Sequence, residues 1–146
     1  MLGSWGRGAD DFVEMIFGAT TQNPDAFPPA VLDVYKDAFR PHGALTPPID
    51  YYRNMDRNWE LMAPYAERKI EVPCLMVSAR NDPVLTPEMT AGMEERVPDL
   101  ERVIIEDCGH WTQQEKPAEL TQAMLAYLQR LRRSVAYARS LPAKRT

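Results

Sequence analysis

Nowhere in the 146-residue chain does an apolar run approach the roughly 18 to 20 residues that a membrane-spanning helix needs. Met1 to Asp10 also lacks the basic start and apolar stretch of a secretory leader. The expectation is a chain that is neither inserted in a membrane nor exported. Positive charge is scarce as well: the formal net charge is −4 and no basic stripe interrupts the sequence, which argues against a nucleic-acid partner. There are two cysteines, Cys74 and Cys108, in apolar surroundings and without C-x-x-C spacing, so they read as reduced core residues of a cytoplasmic protein. No internal repeat or low-complexity tract is present, which excludes a solenoid. With 45% hydrophobic and 26% charged residues, the chain has enough apolar surface to form a core.

Prolines divide the first third, at positions 24, 28, 29, 41, 47 and 48, and leave room only for short helices. Asp10 to Phe17 and Pro29 to Phe39 carry apolar residues at helical spacing, the second with Val31, Leu32, Tyr35, Ala38 and Phe39 on one side. Ile49 to Tyr65 repeats the pattern through Tyr52, Met55, Trp59 and Met62, a stripe expected to pack on something apolar. From Ile70 the pattern changes. The short apolar run through Ser78 reads as a strand buried on both faces, as in a parallel sheet. Thr86, Pro87 and Glu88 have the character of a helix start, predicting a helix through Val97. Arg102 to Glu106 reads as a second strand, Asp107 to His110 as a turn, and Lys116 to Arg133 as a long amphipathic helix with Leu120, Met124, Tyr127, Leu128 and Leu131 on one face. The order strand, helix, strand, helix predicts an α/β domain with parallel strands and flanking helices.

In such a sheet, chemistry gathers at the carboxyl ends of the strands. Asp82 falls just past the first strand and His110 just past the second. A carboxylate beside an imidazole fixes its tautomer and stabilises its protonated form. Each residue also has a plainer reading: Asp82 as a turn residue before Pro83, His110 as a surface histidine. His42, the other histidine, lies in a Pro- and Gly-rich loop, which leaves one good base candidate.

Val72 to Pro117, with NDPVLTP around Asp82 and DCGHWTQQEKP around His110, resembles the C-terminal end of the α/β-hydrolase fold. YYRNMDRNWE, from Tyr51 to Glu60, is similar to the lid of soluble epoxide hydrolases, in which the tyrosine before RNM donates a hydrogen bond to the epoxide oxygen. The resemblance covers about Val31 to Leu128. It implies a C-terminal part of an α/β-hydrolase fold preceded by a partial helical lid: lid over residues 1–66, core over 67–133 and tail over 134–146. It further implies His110 as general base, Asp82 as its orienting carboxylate and Tyr52 as an electrophilic donor, beside a pocket for a small apolar epoxide touched by Trp111, Met55 and Val84. No metal or cofactor is implied.

The sequence departs from this family in lacking its nucleophile turn, the oxyanion-hole loop before it and the second lid tyrosine, which the resemblance places upstream. The family's nucleophile sits on a glycine-flanked turn after a strand, and none of the seven glycines brackets an aspartate or serine in that setting; Gly8 to Asp11 comes nearest, without a strand before it. The chain therefore reads as a truncated epoxide hydrolase, inactive alone, whose partner is a complementary N-terminal half or a second copy at an exposed sheet edge. Two other readings stand beside it: a fragment of a serine hydrolase or dehalogenase of the same fold, and a non-catalytic interaction module. The basic tail from Arg130 to Thr146, with Arg132, Arg133, Arg139, Lys144 and Arg145, reads as a solvated end.

Overall fold

Two acids in its first turn, Asp10 and Asp11, favour helix α1, Ala9–Thr20, by meeting the positive end of its dipole. The structure is a computed structural model and describes residues 8–140. Helix α2, Pro29–Phe39, begins on its own proline and packs on α1. Val13, Phe17 and Phe27 are buried between them, with Val31, Leu32, Tyr35 and Phe39 packed alongside. Lys36 to Glu14, at 2.6 Å, and Arg40 to Asp10, at 2.9 Å, tie the two helices at the surface. Asp10 of the Gly8 to Asp11 stretch is thus engaged by Arg40.

The single helix expected over 49–65 is divided into α3, Thr46–Arg53, and α4, Met55–Met62. Asn54 is the cause. Its side-chain amide donates to the Asp50 carbonyl at 2.7 Å and its backbone N–H reaches both Asp50 and Tyr51, so the regular ladder stops there. The apolar stripe is not packed: Tyr52 is 68% exposed, Met55 55%, Trp59 81% and Met62 59%. No described element covers that face, which corrects the expectation of a buried stripe.

The sheet contains two parallel strands, β1, Cys74–Ala79, and β2, Leu100–Ile105, in register from Cys74 opposite Leu100 to Ala79 opposite Ile105. Burial along β1 is complete only at Ser78 and Ala79. The earlier residues are half-buried because each strand has a single neighbour among the described residues, where burial on both faces was expected. The helix expected over 86–97 is replaced by two 3-10 turns, Pro87–Thr90 and Met93–Glu95. Ala91 is extended and Gly92 has φ +81°, a left-handed conformation that ends the first turn.

A one-turn helix, α5, Thr112–Glu115, precedes α6, Pro117–Ser140, which extends beyond the predicted end at Arg133. Helix α6 packs on both strands, with Leu120 against the Ala79, Ile105 and Cys108 core and Tyr127 buried. Met124 and Leu128, expected on the same packed face, are about half exposed, at 49% and 54%. Arg130, read as part of a solvated tail, is instead paired with Glu101 at 2.9 Å and Asp99 at 3.3 Å. Lys144 and Arg145 lie outside the described residues. Cys74 and Cys108 are free thiols, the first half-buried and the second fully buried.

Candidate active site

Strand β1 ends at Ala79 in a turn closed by the Asp82 N–H on the Ala79 carbonyl at 3.4 Å, while the Arg80 N–H bonds to the Ile105 carbonyl and the Asn81 N–H to the Cys108 carbonyl, each at 2.9 Å. The latter two bonds continue the parallel ladder past both strand ends and bring the following loops together. Asp82 stands in the first loop. Its Oδ1 accepts the backbone N–H groups of Val84, at 2.8 Å, and Leu85, at 3.0 Å, a turn that aspartate side chains favour. The residue is 8% exposed.

His110 stands in the second loop, 28 residues on in sequence. Its Nδ1 lies 2.9 Å from Oδ2 and 3.1 Å from Oδ1 of Asp82. Facing a carboxylate, Nδ1 carries the proton and donates, which leaves the lone pair on Nε2. Among the described residues Nε2 has no hydrogen-bond partner, and the imidazole is partly open to solvent. Burial works against the ionised form of Asp82. The amides of Leu85 and Val84 and the His110 ring together outweigh it and hold the carboxyl below its ordinary value of 3.8.

Of the remaining sequence candidates, Val84 and Trp111 adjoin this pair, while Tyr52 and Met55 lie exposed on α3 and α4. Tyr52 is on α3, exposed, its ring edge-on to Tyr51 at 5.4 Å between centroids. Met55 and Val84 are more than half exposed. Trp111 adjoins His110, with ring centroids 5.2 Å apart, but its indole stacks on Phe17 at 4.5 Å and its Nε1 donates to Thr20 Oγ1 at 2.7 Å. The indole is thus packed against the helical core.

Sequence reasoning overlooked the base on which His110 rests. The His110 N–H donates to the Thr20 carbonyl at 2.9 Å, so the end of α1 holds the loop that carries His110 directly. Gly109 admits this approach: a Cβ there would lie 2.6 Å from the Gln22 nitrogen and the Thr20 oxygen and 2.7 Å from Glu115 Oε1. Glu115, 9% exposed, accepts N–H groups from Gly109, Trp111, Gln22 and Asn23. The only sequence signal was the glycine before His110, which reads equally well as an ordinary turn residue.

No helix among the described residues is long and apolar enough to cross a membrane. No group of three or more His, Cys, Asp or Glu residues among them could hold a metal ion. Comparison with known proteins places the fold: the family described as alpha/beta hydrolase fold matches residues 26–117. The chain belongs to this family.

Among the α/β-hydrolases it is similar to epoxide hydrolases. It is 47% identical over 97 residues to bifunctional epoxide hydrolase 2 of Rattus norvegicus, covering 66% of this chain and 17% of that protein. It is 43% identical over 98 residues to epoxide hydrolase A of Mycobacterium tuberculosis, covering 66% of this chain and 30% of that one. A mutant epoxide hydrolase from Vigna radiata superposes with a TM-score of 0.64 at 30% identity, over 73% of this chain and 36% of its own. The α/β-hydrolase chain described here thus spans less than a third of the length of these two curated relatives.

Proposed function

We propose that this chain carries the histidine–carboxylate part of an epoxide-hydrolysing site, with a small apolar epoxide as substrate. The observation behind this reading is the His110–Asp82 pair, whose Nδ1 is clamped at 2.9 Å and whose Nε2 is left open. A carboxylate nucleophile attacks an epoxide carbon, forming an ester and releasing the ring oxygen as an alkoxide. Tyr52 donates to that oxygen as its charge develops. Nε2 of His110 then takes a proton from a water molecule, which attacks the ester carbonyl and frees a vicinal diol. Asp82 stabilises the imidazolium formed in that step.

Among the described residues no glycine-flanked aspartate follows a strand. In this reading the attacking carboxylate comes from outside them, on a complementary N-terminal half that also covers the exposed face of α4. The exposed hydroxyl of Tyr52 supports the same arrangement, because that face has to close over substrate before the phenol can reach the epoxide.

The test is diol formation from a simple aryl epoxide, by the chain alone and by the chain mixed with the N-terminal segment of the mycobacterial relative. Diol is expected in the mixture. His110→Ala should lower its rate by on the order of 100- to 10,000-fold, the usual contribution of a general base. Turnover that survives both His110→Ala and Asp82→Asn would overturn the reading.

A further inference from the structure

Glu115 ends the four-residue helix α5, is 9% exposed, and has no lysine or arginine paired with it among the described residues. Only N–H donors meet its charge. Oε2 accepts the backbone N–H of Asn23 at 2.9 Å and those of Gln22 and Gly109 at 3.0 Å, together with the side-chain amide of Asn23 at 3.0 Å. Oε1 accepts the Trp111 N–H at 3.3 Å. A carboxylate removed from water needs such donors, and bonds to a charged acceptor are the stronger kind.

The donors come from two directions. Gly109 and Trp111 flank His110, while Gln22 and Asn23 follow α1. Between them His110 itself bonds to Thr20, and the Trp111 indole bonds to the Thr20 hydroxyl. The backbone of His110 is therefore fixed at the residue before it, at its own N–H and at the residue after it. Two of the three restraints end on Glu115.

We propose that Glu115 is a positioning residue. Through the amides of Gly109 and Trp111 it sets His110 at hydrogen-bonding distance from Asp82, and it anchors that arrangement to residues 20–23. These residues lie ahead of the family match, which begins at residue 26. The seat of the histidine is thus partly built from chain ahead of the matched stretch. Glu115 does not touch substrate and acts through His110. The kinetic part of the argument rests on the function proposed above; the structural part does not.

The experiment follows the proton shared by His110 Nδ1 and Asp82 in the full chain by NMR, assigned by its loss in His110→Ala. In Glu115→Ala the resonance should broaden beyond detection while the far-UV circular dichroism stays native. Glu115→Gln can keep an acceptor at the Oε2 position but turns an NH2 toward the Trp111 N–H. It should therefore retain a weakened resonance and speed exchange of the Trp111 amide. In the complemented epoxide assay, Glu115→Ala should lower kcat on the order of 100-fold at unchanged KM, the scale of a misplaced catalytic group, with Glu115→Gln in between.

A native resonance and native rate in Glu115→Ala would overturn the proposal. Should that variant fail to fold, Glu115→Gln decides alone, and a resonance of native position and intensity there overturns it. If no variant forms diol but the resonance responds as described, the positioning role stands and the proposed activity falls.

Discussion

Asp82 is the residue whose environment does most to define the site. Burial opposes its charge, while the Leu85 and Val84 amides and the His110 ring favour it more strongly, leaving its folded-state value below 3.8. The unfolded chain therefore takes up a proton at Asp82 before the folded one does. The resulting stability is fully present above 3.8 and drains away as pH falls below that through the lowered folded value. The urea midpoint of the native chain should accordingly drop more between about pH 4 and pH 2 than that of Asp82→Asn, which has no carboxyl to titrate at this position. Asp82 and His110 were legible in the sequence because both fall at the ends of apolar runs, where parallel strands deliver polar side chains. Glu115 was not legible. A glutamate between Gln114 and Lys116 reads as solvated surface, and its burial depends on amides 92 and 93 residues away.

At the scale of elements, helices α1 and α2 and both strands were legible, since periodicity and proline placement act over a few residues. The failures came where one residue overrides its neighbours. The break at Asn54 divides an otherwise continuous helical pattern, with the Asp50 carbonyl shared between the backbone N–H and the side-chain amide of Asn54. Gly92 does the same between the strands: Thr86 and Pro87 promise a helix, yet the chain turns left-handed six residues later. A side chain at that φ is strained. Gly92→Ala should cost about 1 kcal/mol, seen as a melting midpoint lowered by roughly 3 °C, with the His110–Asp82 resonance unchanged because the turn lies outside the ladder that joins the two loops.

At the scale of the whole molecule, apolar surface among the described residues is divided between two small cores, one among α1, α2 and Trp111 and one between the sheet and α6. A third apolar surface, along α3 and α4, remains in solvent. The sequence pattern marked this stripe correctly as apolar; it could not reveal that no described element covers it, because periodicity identifies a face and not its partner. Exposed patches of this kind promote association. Trp59→Ser combined with Met62→Ser should therefore lower the weight-average sedimentation coefficient of the chain at a fixed high concentration and leave its circular dichroism unchanged.

The bonds from Glu115 to Gln22 and Asn23 also bear on the order in which the molecule assembles. They close loops of more than 90 residues, from the end of the first helix almost to the start of the last. Contacts so distant in sequence carry a large loop-closure entropy and form slowly. During synthesis Gln22 and Asn23 emerge long before the carboxylate that will bind them exists, so until Trp111 and Glu115 are made α1 and α2 lack the contacts that the histidine loop supplies. The histidine's seat can therefore be completed during synthesis only when nearly all of the described chain has been made.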